Sequence, residues 1–371
     1  MGPHLPTSLV HVSRSWLSIA ACAGAFCTPG TLAQPVLFTD PASGIEFSRI
    51  TALNNPAYTG QDPFDVGVVG RGSVGYEYSI GRLEVTTAQW VEFYNAASAR
   101  PDPLQLPQGT LFIRPTFWGA GVDPSYTGPG TRYRVNPNNP DAGMIPAGGI
   151  TWRVAAMYCN WLHNGKSTAQ SAFMSGAYDV STFSASSFPT FTDQASRSPG
   201  ARYWIPSWDE WLKAVHYDPN KQNSDGTVGG WWTGPLGSDD LPVYGPPPGF
   251  AGGSAAAQAN SDFILPNRGE RFIPLGSYPT AQTPWGLLDA AGATGEWTES
   301  LYVLEGQQYR RVDGSRYGTD ASSDQIFEGG AVGPNTVFSA LGLRLATSIP
   351  QPGVILTLVP GFWYALLRRR R

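Results

Sequence analysis

The chain has 371 residues, 41% of them hydrophobic, enough to bury a large core in one domain or two. Only 14% are charged, and the net charge of −4 leaves no basic footprint for nucleic acid. The 44 Gly, 33 Pro, 13 Trp and 16 Tyr argue against a helical bundle and for a turn-rich fold packed on aromatic rings.

His11 and Arg14 give a mildly basic start, Trp16 to Phe26 is a short apolar run, and Thr31-Leu32-Ala33 is a small-residue cleavage site. Residues 1–33 therefore read as an export signal, with a mature chain starting at Gln34. Cys22 and Cys27 fall inside that segment. Cys159 is then the single mature cysteine, which excludes an internal disulfide and leaves it as a small buried hydrophobe.

Residues 34–69 form an N-terminal extension and lead-in, polar and turn-rich through Thr59. Residues 75–86 alternate as a strand. Trp90, Val91, Phe93 and Tyr94 recur at helical spacing after an N-cap at Thr86 or Thr87. Residues 101–149 read as a long ordered loop, and 153–164 as a helix turning Ala155, Ala156, Cys159, Trp161 and Leu162 inward. A Ser-rich insertion spans 167–200. Ser207 with Glu210 three residues on is a capping box, and capping plus surface charge outweighs an acid/base role for Asp209 and Glu210. His163 and His216 lie on separate elements and read as surface or helix-end residues rather than ligands.

The most informative stretch is Gly276 to Ser300. Thr283-Pro284-Trp285-Gly286 reads as a tight turn, Leu287-Leu288 as one short buried strand or turn, and Gly292 and Gly295 as points of close backbone approach. Glu296 before Trp297 reads as a partly buried carboxylate, which needs a cation or amide partners. At the C-terminus, Val354 to Leu367 is a 14-residue apolar segment followed by Arg368 to Arg371. That length is marginal for a hydrocarbon core of roughly 30 Å, and the arginines would hold this end on the cytoplasmic side.

GLLDAAGATGEWTES resembles the GLYDMxGNVWEWT signature of the formylglycine-generating enzyme (sulfatase-modifying factor) family. IGRLEVTTAQWVEFYNAAS, GITWRVAAMYCNWLHNGK, the Arg202 to Trp211 segment, Ala259-Asn260, the Pro274 to Tyr278 step, Arg310 to Tyr317 and Gly342 to Ala346 are similar to further family motifs, in the family's order. The resemblance implies an α+β, C-type-lectin-like single domain over residues 70–347, loop-rich and low in regular structure.

It also implies chemistry. The family's oxidase holds copper(I) on two cysteines between its G-G-S step and its closing G-F-R strand. Arg316 to Leu341 contains no cysteine, so neither copper binding nor thiol exchange is expected. Ser315 matches the family's active-site serine, but a lone serine with no base near it in sequence reads as a turn residue, so no catalytic residue is expected and Ser315 stands only as the alternative. The related iron-dependent sulfoxide synthases need three histidines, which the mature chain lacks, so iron is not expected either. Structural calcium is implied at Asn260, Asn267 and Glu296, through oxygen ligands suited to a hard cation, although Ala293 and Gly295 stand where the family has Asn and Trp.

Residues 348–371 resemble a PEP-CTERM sorting tail, with Gln351 in place of the usual Glu and an internal Pro360. That resemblance implies exosortase-type sorting machinery as partner, transient membrane contact through the tail, and delivery to the envelope or outer surface of a Gram-negative-type bacterium. Two functions follow. The first is a non-catalytic binding or matrix protein for extracellular polysaccharide or a surface protein, with Trp118 and Trp231-Trp232 as stacking rings. The second is a formylglycine-generating oxidase acting on exported proteins.

Overall fold

The computed structural model describes residues 35–184, 190–318, 321–338 and 340–348. The expected export signal, and the sorting tail from 349 onward, lie outside the described residues. In chain order the elements are β1 (Leu37–Thr39), β2 (Glu46–Ile50), β3 (Tyr78–Gly81), α1 (Thr87–Ser98), β4 (Ala120–Val122), β5 (Tyr133–Val135), α2 (Trp152–His163), α3 (Gln170–Met174), β6 (Tyr203–Trp204), α4 (Trp208–His216), β7 (Tyr217–Gln222), β8 (Val228–Trp231), β9 (Gly295–Leu304), β10 (Gln307–Asp313), β11 (Gly330–Val332), β12 (Leu341–Gly342) and β13 (Ala346–Thr347). Short strands and long connections make this a loop-rich α+β fold. Among the described residues no helix is long and apolar enough to cross a membrane.

The main sheet runs β1-β2-β3-β13-β6. The C-terminal strand sits between elements from the first half: Ala346 pairs with Ile80 on one side and Trp204 on the other. The lead-in differs from its sequence reading. Residues 37–50 form an antiparallel hairpin whose second strand pairs with β3, Phe47 opposite Gly81. Phe47 and Ile50 are fully buried there, which offsets the polar, turn-rich composition around them. A second sheet, β11-β10-β9-β12, is built on the β9–β10 hairpin. Its turn residues Glu305 and Gly306 both take positive φ, as a primed two-residue turn requires.

The helices follow the expected signals. Thr86 caps α1, with Gln89 completing a reciprocal box, and Ser207 caps α4, with Glu210 doing the same. Thr151 caps α2, which is buried on every side from Trp152 to Leu162 rather than on one face. Arg153 is accommodated there by a bidentate pair with Asp193, at 2.8 and 2.7 Å, supplied by the Ser-rich insertion. Trp90, Phe93, Tyr158 and Trp161 interlock with ring centroids 5.1–6.0 Å apart, so the aromatics of α1 and α2 are the centre of the core.

Gly292, at φ +88, is required: a Cβ there would lie 2.5 Å from the Asn260 carbonyl oxygen, with which its strand segment forms a parallel bridge. The Thr283–Gly286 turn closes as expected, Gly286 N donating to Thr283 O at 2.8 Å, and Leu287 and Leu288 continue as buried turn rather than strand.

Candidate functional site

The Glu296-Trp297 signature lies at the start of β9, where Glu296 meets the closing segment. Arg344 Nε lies 2.9 and 3.1 Å from the two Glu296 oxygens, Arg344 Nη2 2.8 Å from Oε1, and Trp211 Nε1 donates to Oε2 at 2.7 Å. The rest of the guanidinium donates to the carbonyls of Gly81, Arg82, Leu288 and Asp289. Glu84 sits beside this pair, accepting from Thr294 N and Oγ1, and burial together with the Glu296 charge pushes its carboxyl well up. The carboxylate read as needing a cation is thus fully buried and satisfied from inside the chain. It is a structural knot joining β3, β9 and the C-terminal strand.

This geometry bears on the three residues implied for calcium. Both Glu296 oxygens are engaged, and a metal ion beside the Arg344 guanidinium would be repelled, so Glu296 does not fit the ligand set. Asn267 is exposed, at positive φ, on the rim of a surface cleft. Asn260 does fit. Its Nδ2 donates to Glu270 O at 2.9 Å, while its Oδ1 and Glu270 Oε1 are both buried without a hydrogen-bond donor. Arg268 Nε lies 3.0 Å from that Glu270 oxygen but out of hydrogen-bond line, on a half-exposed side chain free to swing aside. Two orphaned buried oxygens are expensive unless a cation or donor reaches them. Asn260 and Glu270, with neighbouring main-chain carbonyls, are the residues that would hold calcium. Among the described residues no cluster of three or more His, Cys, Asp or Glu is arranged for a metal, so carbonyl oxygens would have to complete the shell. Glu270 carried no sequence signal beyond lying ten residues after Asn260.

If calcium binds there, millimolar calcium should raise the unfolding free energy of the chain by about 2.7 kcal/mol at a hundredfold excess over Kd. Glu270→Gln, which keeps an acceptor for Leu265 N (3.0 Å from Oε2), should remove that gain. Equal calcium stabilisation of both proteins in thermal melts would exclude this site.

Ser315 is 1% exposed. Its Oγ accepts from Gly292 N at 2.7 Å, and its backbone N donates to Asp324 Oδ1 at 3.0 Å. It therefore pins the Gly-rich corner to the 321–324 turn. Next to it a cavity of about 170 Å³ is lined by Gly295, Asp313, Gly314, Arg316, Glu328 and Gly330. Asp313 Oδ2 accepts from Trp208 Nε1 at 2.5 Å and Oδ1 from Gly314 N at 2.8 Å, and burial pushes its pKa up to about 7. Asp313 carried no signal of its own in the sequence; desolvation raises its pKa against the lowering effect of the Trp208 and Gly314 hydrogen bonds.

The remaining sequence candidates are structural. Glu210 is fully buried rather than a surface charge, and accepts from Tyr76, Arg197, Trp204 Nε1 and Ser207 N. Asp209 accepts from Gly72 N at 2.7 Å. Cys159 is fully buried, and burial raises its thiol pKa well above the usual range. His163 Nδ1 accepts from Arg202 N at the end of α2. His216, also at a helix end, is buried and pushed down to about 4 by desolvation. Trp118 is buried too, and Trp231 and Trp232 are half-covered, Trp231 packing on Tyr58 and Tyr217 and Trp232 lying under Lys221 Nζ at 3.8 Å. These three do not form open stacking platforms.

A larger concavity lies elsewhere, a cleft of about 1020 Å³ walled by the 112–120 loop, Tyr133 and the 267–272 turn. A second cavity of about 330 Å³ shares Trp118, Ala120 and Phe272 with it. Gly149, at φ +76, lets the 112–120 loop approach: a Cβ there would lie 1.8 Å from Thr116 Oγ1.

An aromatic, loop-built α+β domain closed by a Gly-x-Arg strand on a buried Glu-Trp pair matches a known architecture. The sulfatase-modifying factor enzyme 1-like domain matches residues 71–349, and the chain belongs to that family. Among solved structures it is similar to CarF (19% identity, TM-score 0.49, 83% of this chain and 99% of that one). It is also similar to Treponema denticola variable protein 1 (16%, 0.44, 85% and 100%) and to PvdO from Pseudomonas aeruginosa (14%, 0.42, 85% and 99%). No curated protein matches it significantly.

Proposed function

We propose that the chain is an exported, surface-sorted protein that uses its sulfatase-modifying-factor-like domain to bind rather than to oxidise. One observation carries the reading: the segment from Ser315 to Leu341 offers no thiol, and the cavity it borders is walled by glycine, carboxylate and guanidinium groups. Copper(I) needs soft thiolate donors, and none of these groups is one. Cys159 cannot stand in, since a fully buried thiol with a raised pKa neither ligates nor exchanges. The export signal at 1–33 and the tail at 348–371 would deliver the domain to the envelope or outer surface, through exosortase-type machinery, where polysaccharide or a surface protein is the available partner.

The test is direct. The purified full chain, given copper(I), oxygen and a Cys-x-Pro-x-Arg peptide, should leave the peptide cysteine unchanged by mass spectrometry. Conversion of that cysteine to the aldehyde would establish the alternative, a formylglycine-generating oxidase, and end the binding reading.

A further inference from the structure

We propose that the 1020 Å³ cleft takes an anionic oligosaccharide, its sugar rings against the aromatic wall and its carboxylate or sulfate groups on Arg114 and Arg271. The inference rests on the binding reading above and names the ligand class.

The wall is continuous. Phe112 and Tyr94 stack at 5.0 Å with an interplanar angle of 2°, Tyr94 meets Tyr133 at 5.3 Å, and Tyr133 meets Trp118 at 5.3 Å. Phe272, 43% exposed, stands at the rim shared with the second cavity. Tyr94 and Trp118 are buried and brace the wall from behind, while the half-buried Phe112 and Tyr133 and the exposed Phe272 present apolar surface to the cleft.

Charge selects the ligand. Arg114, Arg268 and Arg271 line the cleft, and no carboxylate does, in a chain whose net charge is −4. Arg268 is paired with Glu270. Among the described residues Arg114 and Arg271 have no ion-pair partner, and Arg271 Nε is buried without an acceptor, its guanidinium lying 5.2 Å over Tyr317. Guanidinium forks facing an apolar wall match ring-shaped ligands that carry planar or tetrahedral oxyanions. A neutral sugar would leave the arginines unanswered, and an acidic peptide would leave most of the ring wall uncovered. The volume is at the upper end of ordinary ligand pockets, roughly 300–1,000 Å³, so the site is suited to several sugar units.

The test is isothermal titration of the full chain with oligogalacturonate, dextran sulfate, neutral dextran and poly-glutamate. Binding of oligogalacturonate or dextran sulfate, with the stronger of the two identifying the oxyanion, is the expected result, with at least tenfold weaker binding to dextran and to poly-glutamate. The Arg114→Gln/Arg271→Gln double variant should lose at least tenfold in affinity, and Phe272→Ala, at an exposed position that leaves the core intact, should lose severalfold. Arg49→Gln, outside the cleft, should bind as wild type. Binding to neither anionic glycan, equal binding of dextran or poly-glutamate, or an unchanged double variant would overturn the proposal. Because the peptide-oxidation assay is separate, a chain inactive on the peptide yet blind to both glycans would sink this inference alone.

Discussion

Arg344→Met is expected to destabilise the domain by about 3–5 kcal/mol, the usual cost of stranding one member of a buried ion pair. The side chain is fully buried and holds Glu296 through both carboxylate oxygens. It also caps the carbonyls of Gly81, Arg82 and Leu288, which belong to two separate stretches of chain. Methionine fills much of the volume but leaves Glu296 with Trp211 Nε1 and no counter-charge, beside the already unfavourable Glu84. Adding Glu296→Gln to Arg344→Met should recover part of the loss, since the unpaired charge is then gone, and the difference measures the coupling. Urea unfolding of the three proteins reads both effects. A loss below about 1 kcal/mol for Arg344→Met would mean that the knot is not what joins β3 to the closing strand.

Much of this knot was legible in the sequence because its parts are local motifs. Glu296-Trp297 and Gly342-Leu343-Arg344 could each be read in place, and so could the caps at Thr86 and Ser207, because capping is decided within four residues. What could not be read was pairing at long range. Nothing local shows that Glu296 faces Arg344, so the residues left its partner open between a cation and amides, and calcium came only from the family resemblance. The lead-in hairpin was missed for a similar reason. Leu37–Thr39 and Glu46–Ile50 are short and lack clean alternation, and only the free edge of β3 makes them strands. The cleft was hidden altogether. Its rings come from Tyr94, the 112–118 stretch, Tyr133 and Phe272, and an aromatic residue lining a cleft looks in sequence like one filling a core. Glu270 and Asp313 became visible as unusual groups only once burial stripped them of water.

That burial sets the expected pH response. Asp313 and Glu299 are pushed up to about 7, and Asp289 and Asp324 to about 6, each mainly by desolvation. A carboxyl whose folded pKa exceeds its unfolded value binds more protons in the folded state across the interval between the two. Its stabilising contribution is complete below the unfolded value, near 4, and is lost as pH rises through 6 to 7. His216 works in the opposite sense: lowered to about 4, it contributes stability above its ordinary value of 6.5 that is lost as pH falls. His216, with His163 lowered by burial in the same sense, is outweighed by these four carboxyls and Glu84 between pH 4.5 and 7.5, so the unfolding free energy should decline over that range. Of these four the largest share belongs to Asp313, roughly 4 kcal/mol for about three pKa units at 1.36 kcal/mol each. Asp313→Asn mimics the protonated acid, keeping an acceptor for either Trp208 Nε1 or Gly314 N, and cannot ionise. It should match wild type near pH 4.5, exceed it near pH 7.5, and flatten the slope between them. Urea unfolding at half-unit pH steps makes the comparison; parallel curves for the two proteins would show that Asp313 does not carry the proton.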